Sequence, residues 1–363
     1  MNADLLYSDT EESLRTSVRS LLAARLTTTD VATAYDQSVD FHALWEALAT
    51  QLGLAGLLIP ESLGGAGASA REAAVVLEEL GGAVAPVPFL TSAVIATSTL
   101  VSAGDEELLG QLAGGDATAV LAVPLTSTPG GWTSVTSVGA TVTGQVTSVA
   151  DGHWADWFIV PTSTESDEPA LIAVPAGGAT IAPVVSLDMS RPLSDLTFEG
   201  VEGRILCSGE AARSAVAEAL QLGAGLLVSE QYGVARWCVE TTVAYAKERY
   251  QFGRAIGSYQ AVKHRLADLF LQVESLRAIA RLAADSLAQR SDDTAVVVAL
   301  GQAYASDTAV HAAEEAVQLH GGIGMTWEHP AHLYLKLAKA DQLAFGTSDH
   351  HRLVLADLVD LPA

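Results

Sequence analysis

Apolar residues at helical intervals open the chain. Leu14, Val18, Leu21 and Leu22 repeat three to four apart behind Ser8 and Glu11, which have the spacing of a capping box. A second amphipathic stretch runs over 41–53 with Gly53 as its C-cap. The Pro/Gly-dense run 59–67 is a loop, and a helix over Ala70–Leu80 is stopped by Gly81-Gly82. The period then shortens from about 3.6 to 2. Val120–Val123, Ser134–Val138, Thr141–Val146, Trp157–Val160 and Leu171–Val174 are short β-branched runs separated by Gly, Pro, Asp and Ser, with Pro161–Pro169 a polar loop among them. From about 209 the helical period returns. Ala211–Lys247 is free of proline, and Val262, Leu266, Leu269, Val273 and Leu276 form a seam spaced four and three. Asp292–Val317 continues in helix, Gly321-Gly322-Ile323-Gly324 breaks it, and a final helix spans about His329–Ala344. The fold class is mainly α with a small β-domain. An N-terminal helical domain (1–116) precedes a middle antiparallel barrel or sandwich (117–208) and a C-terminal four-helix bundle (209–363).

Composition narrows the function. Nineteen Lys plus Arg against 43 Asp plus Glu leave a formal charge of −24, a field that repels nucleic acid and anionic membranes. The uncharged stretches 81–104 and 117–150 are interrupted by Pro, Ser, Thr and Gly, so neither reads as a membrane span. The acidic N-terminus lacks the positive charge of a signal peptide, and Cys207 and Cys238 suit a reducing compartment; the expectation is a soluble cytoplasmic protein. Charge is unevenly spread. Only five basic side chains occur in the first 203 residues, whereas 236–281 contains eight against four acids. That local excess of +4 marks either an anion site or a solvated helix face.

Two stretches carry candidate chemistry. Tyr245–Asp268 reads Tyr-Ala-Lys-Glu-Arg-Tyr-Gln-Phe-Gly-Arg-Ala-Ile-Gly-Ser-Tyr-Gln-Ala-Val-Lys-His-Arg-Leu-Ala-Asp: a helix ends in Arg249, a Phe252-Gly253 turn follows, and Gln260 opens the next helix. An arginine at a helix junction offers a bidentate fork for a phosphate, and a glutamine offers both donor and acceptor. The other reading of the same spacing is a helix corner with an exposed arginine. Gln318–Pro330, Gln-Leu-His-Gly-Gly-Ile-Gly-Met-Thr-Trp-Glu-His-Pro, allows close approach to its glycine backbone but does not match the dinucleotide fingerprint. His320, His329, His332, His350 and His351 lack metal-ligand spacing, so no metal is expected.

In this order these stretches resemble the acyl-CoA dehydrogenase family. So do Leu44-Trp45-Glu46-Ala47-Leu48, Ile59–Gly65 and Leu77–Gly81, and the resemblance covers nearly the whole chain. It implies a helical domain, a β-domain and a four-helix bundle, in a tetramer that holds FAD between subunits and removes the α and β hydrogens of an acyl-CoA thioester. By the same resemblance Arg249 contacts the pyrophosphate of a neighbouring subunit's FAD. Phe252 and Gln260 flank that FAD, Gln318 and Gly322 lie along its adenosine half, and Thr347 is a further FAD contact.

The departures are as informative. Family members abstract the α-proton with a glutamate just before the Gly-Thr of the C-terminal tetrapeptide, where this chain has Phe345 in Ala344-Phe345-Gly346-Thr347. A subset places it on the first bundle helix, which falls at Gly223 here, with Ala224 in place of a neighbouring arginine. The loop Pro124–Trp132 lacks the acid of its family counterpart. The resemblance therefore implies the subunit without a base in an α2β2 enzyme of the steroid-CoA type found in actinobacteria, acting with a homologous catalytic subunit. The alternatives are a self-sufficient homotetramer with a relocated base (Glu230, Asp341 or Asp349), a flavin monooxygenase-like protein, or a structural subunit.

Overall fold

The computed structural model describes residues 5–37, 39–132 and 135–361. The first helical group comprises α1 (Asp9–Arg25), α2 (Thr28–Thr33), α3 (His42–Glu46), α4 (Ala70–Ala83), α5 (Thr97–Ala103) and α6 (Glu106–Gly114), with wide π-helical turns at Ala47–Gln51 and Phe89–Ala96. The capping box forms. Ser8 Oγ accepts from the Glu11 N–H at 3.2 Å and the Ser8 N–H donates to Glu11 Oε2 at 2.6 Å, satisfying two otherwise orphaned helix-end donors.

Helix α4 does not stop at Gly81-Gly82; it runs to Ala83 and ends on a left-handed Val84. The glycines serve packing instead. A Cβ at Gly81 would stand 2.3 Å from the Glu230 carbonyl oxygen, and one at Gly233 2.1 Å from that of Glu78. Two helices cross there backbone to backbone, and glycine's helix penalty of about 1 kcal/mol is smaller than the cost of separating them.

The middle strands are β1 (Ala119–Leu121), β2 (Thr136–Val138), β3 (Thr141–Ala150), β4 (Trp157–Thr164), β5 (Pro169–Pro175), β6 (Thr180–Val184), β7 (Leu193–Glu202) and β8 (Arg204–Ser208). They form one sheet in the order β6-β7-β3-β2-β4-β5-β8, with β1 beside β4. Ser134, where the second strand was expected to start, lies outside the described residues. Two corrections apply. The sheet is mixed, since β1 and β2 both pair parallel to β4, and β4 continues through Pro161 to Thr164 where a loop was expected. Alternation along β4 divides two cores: Phe158 and Val160 belong to the core of the sheet, while Ile159 joins that of the helices.

The second helical group comprises α7 (Glu210–Glu248), the hairpin β9 (Tyr250–Gln251) and β10 (Arg254–Ala255), α8 (Gln260–Gln289), α9 (Thr294–His320), α10 (Ala331–Asp341) and α11 (Ser348–Leu358). The single helix expected over His329–Ala344 is thus shorter, and α11 follows the left-handed Phe345 and Gly346. No helix among the described residues is long and apolar enough to cross a membrane.

Candidate functional site

Two groups of site residues emerge, on separate parts of the second helical group. The first lies at one end of α7, α8 and α9. Arg249 is the C-cap of α7, its N–H donating to Tyr245 O at 2.8 Å while its side chain is exposed and makes no ion pair or hydrogen bond among the described residues. Phe252 and Gly253 form the hairpin tip, both at positive φ; this is the geometry of tight hairpin turns, and glycine takes it at less cost than phenylalanine. The Phe252 ring is 93 % exposed. Gln260 begins α8, Gln318 lies in the last turn of α9, and Gly322 lies in the 3-10 turn beyond. Contacts tie this end together: Arg265 pairs with Glu315 at 2.5 Å between α8 and α9, and the rings of Tyr245 and His320 stand 4.4 Å apart between α7 and α9.

The basic excess read from the sequence is largely spent inside the fold. Arg236 pairs with Glu79, Arg265 with Glu315, Arg277 with Glu274, and buried Arg281 with Glu11. Arg254 lies over the Tyr259 ring at 3.8 Å. What remains open to an anion centres on Arg249; Lys247, two residues before it, and Lys263, near the start of α8, are also exposed. The fit to a dinucleotide cofactor rests on that uncommitted guanidinium and on the space at Gly321 and Gly322, where a Cβ would meet nothing within 4 Å.

The second group surrounds Phe345. Its N–H donates to Leu125 O at 3.0 Å, and its carbonyl accepts from His351 Nε2 at 3.1 Å. Burial, with His350 nearby, lowers the His351 pKa to about 4 and keeps the ring neutral with its proton on Nε2. Held at both backbone groups, Phe345 adopts φ +55 and is 2 % exposed. Gly223 faces it from α7: a Cβ there would be 2.9 Å from Ile95 and 3.3 Å from the Phe345 ring. Beside them is a cavity of about 20 Å³ with Leu90, Ile95, Val123, Leu220 and Phe345 among its walls, and Thr91 as the one polar side chain. Such a space holds about one water. Thr347 caps α11 by accepting from the His350 N–H at 3.3 Å. Ser348 bonds Asp307 of α9, eleven residues before Gln318, which sets Thr347 roughly 16 Å along α9 from the first group.

The candidate relocated bases lie elsewhere. Buried Arg191 donates to both Glu230 oxygens at 2.6 Å and to Asp341 Oδ1 at 2.8 Å, and exposed Asp349 pairs with Arg352 at 2.7 Å. None of the three carboxylates lines the cavity. Sequence reading missed Arg191, although one signal was present: it is the only basic residue between Arg71 and Arg204. No group of three His, Cys, Asp or Glu among the described residues could hold a metal ion.

Comparison with known proteins gives two family matches, "Acyl-CoA dehydrogenase, N-terminal domain" over residues 8–112 and "Acyl-CoA dehydrogenase, C-terminal domain" over residues 213–359. The chain is 36 % identical to acyl-CoA dehydrogenase IpdE2 of Mycolicibacterium smegmatis, covering 93 % of this chain and 95 % of that one. Among solved structures, the ChsE4–ChsE5 complex from Mycobacterium tuberculosis superposes with a TM-score of 0.85 at 29 % identity, covering 99 % of this chain and 100 % of that one. The Tcur3481–Tcur3483 steroid ACAD does so with a TM-score of 0.85 at 26 % identity, covering 97 % and 98 %.

Proposed function

The chain belongs to the acyl-CoA dehydrogenase family, FAD-dependent oxidoreductases acting on CH–CH bonds, and within it we propose that this chain is the subunit without the catalytic glutamate in a heteromeric enzyme. One observation carries the reading. By the resemblance, the two positions at which the family places its glutamate correspond to Gly223 and Phe345, and in the fold these residues face each other, a Cβ at Gly223 lying 3.3 Å from the phenyl ring. A general base must reach the proton it abstracts, within about 3 Å or through one water. The small cavity beside them offers hydrocarbon walls and the hydroxyl of Thr91. Glu230 and Asp341 are committed to Arg191, so neither serves as a substitute.

The chain's contribution is the outer group. FAD, when bound, supplies the hydride acceptor. Arg249 offers it a permanently charged fork with no internal competitor, Gln260 and Gln318 offer amide donors and acceptors, and Gly322 leaves its backbone unshielded. Thr347, itself exposed, follows Phe345 and Gly346 as the N-cap of α11. The catalytic glutamate then comes from a homologous subunit, and the ChsE4–ChsE5 complex and the steroid ACAD support looking for that subunit among such chains and for the substrate among bulky acyl-CoA thioesters, steroid acyl-CoAs included.

Arg249→Ala tests the assignment in the co-purified complex. Loss of a charge-assisted phosphate contact is worth about 1.5–3 kcal/mol, so FAD is expected to dissociate roughly ten to a hundred times more readily. The melting temperature of the isolated chain should not change, because Arg249 supports nothing internal. Undiminished FAD retention would remove Arg249 from the site.

A further inference from the structure

Arg191 stands where the three parts of the chain meet. It precedes β7, and its guanidinium bridges Glu230 of α7 and Asp341, the last residue of α10. Asp341 is wholly buried, with Oδ2 unpartnered among the described residues. Two further buried carboxyls adjoin: Asp151, which accepts from Thr91 Oγ1 of the first helical group at 2.8 Å, and Asp188, which accepts from the Ser190 N–H and hydroxyl and from Tyr35 Oη. Lys336, lying over the Tyr35 ring, reaches Asp188 electrostatically from α10, with Asp36 beside it.

Fully ionised, four carboxylates and one arginine would carry −3, or −2 counting Lys336. A buried site does not sustain that charge, and proton uptake is the cheapest relief. We propose that Arg191 is a positioning residue, which with these carboxyls forms a proton-holding clasp that fixes the turn from Asp341 to Thr347 against the sheet. The turn follows directly from Asp341 and carries Phe345 and Thr347, so the clasp sets where both stand. The inference is independent of which subunit supplies the glutamate.

Burial, opposed by Arg191 and reinforced by Glu230 and Asp188, raises the Asp151 carboxyl to about 7, and Asp341 is also pushed upward by burial and by Glu230. The sign follows. Between about pH 4 and 7 the folded chain keeps the Asp151 proton while the unfolded chain has lost it, so this contribution to stability is complete below pH 4 and gone above 7. His351 and His350 face the same turn from α11, and His351, lowered to about 4, acts in the opposite sense as pH falls below its unfolded value. A comparison with Asp151→Asn cancels their contribution.

The test is hydrogen exchange of the full chain at pH 6 and pH 8, corrected for intrinsic rates and read at residues 342–347, where the Phe345 N–H is bonded to Leu125. Wild type should lose protection severalfold on going to pH 8, while Asp151→Asn, a permanent mimic of the protonated acid, keeps it. Arg191→Met should lose protection tenfold or more in this turn at both pH values, with α8 unaffected. Where Arg191→Met does not fold, Asp151→Asn decides alone. An equal pH response in wild type and Asp151→Asn would overturn the proposal, as would Arg191→Met lowering protection uniformly across the chain.

Discussion

Phe345→Ala is expected to destabilise the chain by about 3–5 kcal/mol, the range for deleting a buried aromatic ring, as measured by denaturant unfolding. The ring is buried facing Gly223, with Ile95 lining the same small cavity, and its backbone is held by Leu125 and His351, so the site has little freedom to collapse. Phe345→Gly should be no worse than Phe345→Ala. This reverses the usual order, because glycine alone relieves the left-handed backbone, whose strain costs about 1–3 kcal/mol. Phe345→Glu should be at least as damaging as Phe345→Ala and gain no dehydrogenase activity, since its carboxylate would be desolvated among apolar walls. A stable Phe345→Glu variant that oxidises an acyl-CoA alone would show the pocket to be competent and the phenyl ring incidental.

The second large effect lies at the start of the chain. Glu11 closes the capping box on Ser8 and also accepts from Arg71 at 3.1 Å and from Arg281 at 2.6 Å, so α1 is bound to α8 across 270 residues of sequence. Arg281 is 1 % exposed and its guanidinium also lies over the Tyr7 ring at 4.2 Å. Glu11→Ala strands that buried cation and removes the carboxylate half of the capping box, and about 3–5 kcal/mol of stability should be lost. Although burial opposes ionisation, the Ser8 amide and the two arginines together lower the Glu11 pKa to about 2. Its contribution is therefore complete above about pH 4.5 and lost as pH falls through 2. Acid unfolding of wild type should show that loss, and Glu11→Ala should lack it.

What was legible in the sequence was what local pattern encodes. The Ser8–Glu11 box, the unbroken α7 and the Arg249 corner with its Phe-Gly turn all rest on residues a few positions apart. Gly81-Gly82 was misread because a glycine pair signals a stop locally, and only the approach of α7 shows it to be a packing notch. Strand β7 buries Ser194, Leu196 and Phe198, but the polar Ser194 on the buried face and Asp195 beside it masked the alternation. The charge excess around Arg249 overstated the anion site, since Arg236, Arg265 and Arg281 answer acids from distant elements. The clasp was least legible of all: Arg191, Glu230 and Asp341 are joined by 39 and 150 residues of separation, and no window of the chain contains them together. The meeting of Gly223 with Phe345 is likewise tertiary, although the resemblance had singled out each residue separately.

Flavin stoichiometry tests the central claim most directly. The chain is to be purified alone and after co-expression with a homologous acyl-CoA dehydrogenase chain that retains a glutamate, with FAD per chain and acyl-CoA oxidation measured on both samples. One FAD per two chains is predicted in the complex, with turnover abolished when the partner's glutamate is replaced by glutamine and no turnover by the chain alone. One FAD per chain with full acyl-CoA oxidation by the chain alone would contradict the account.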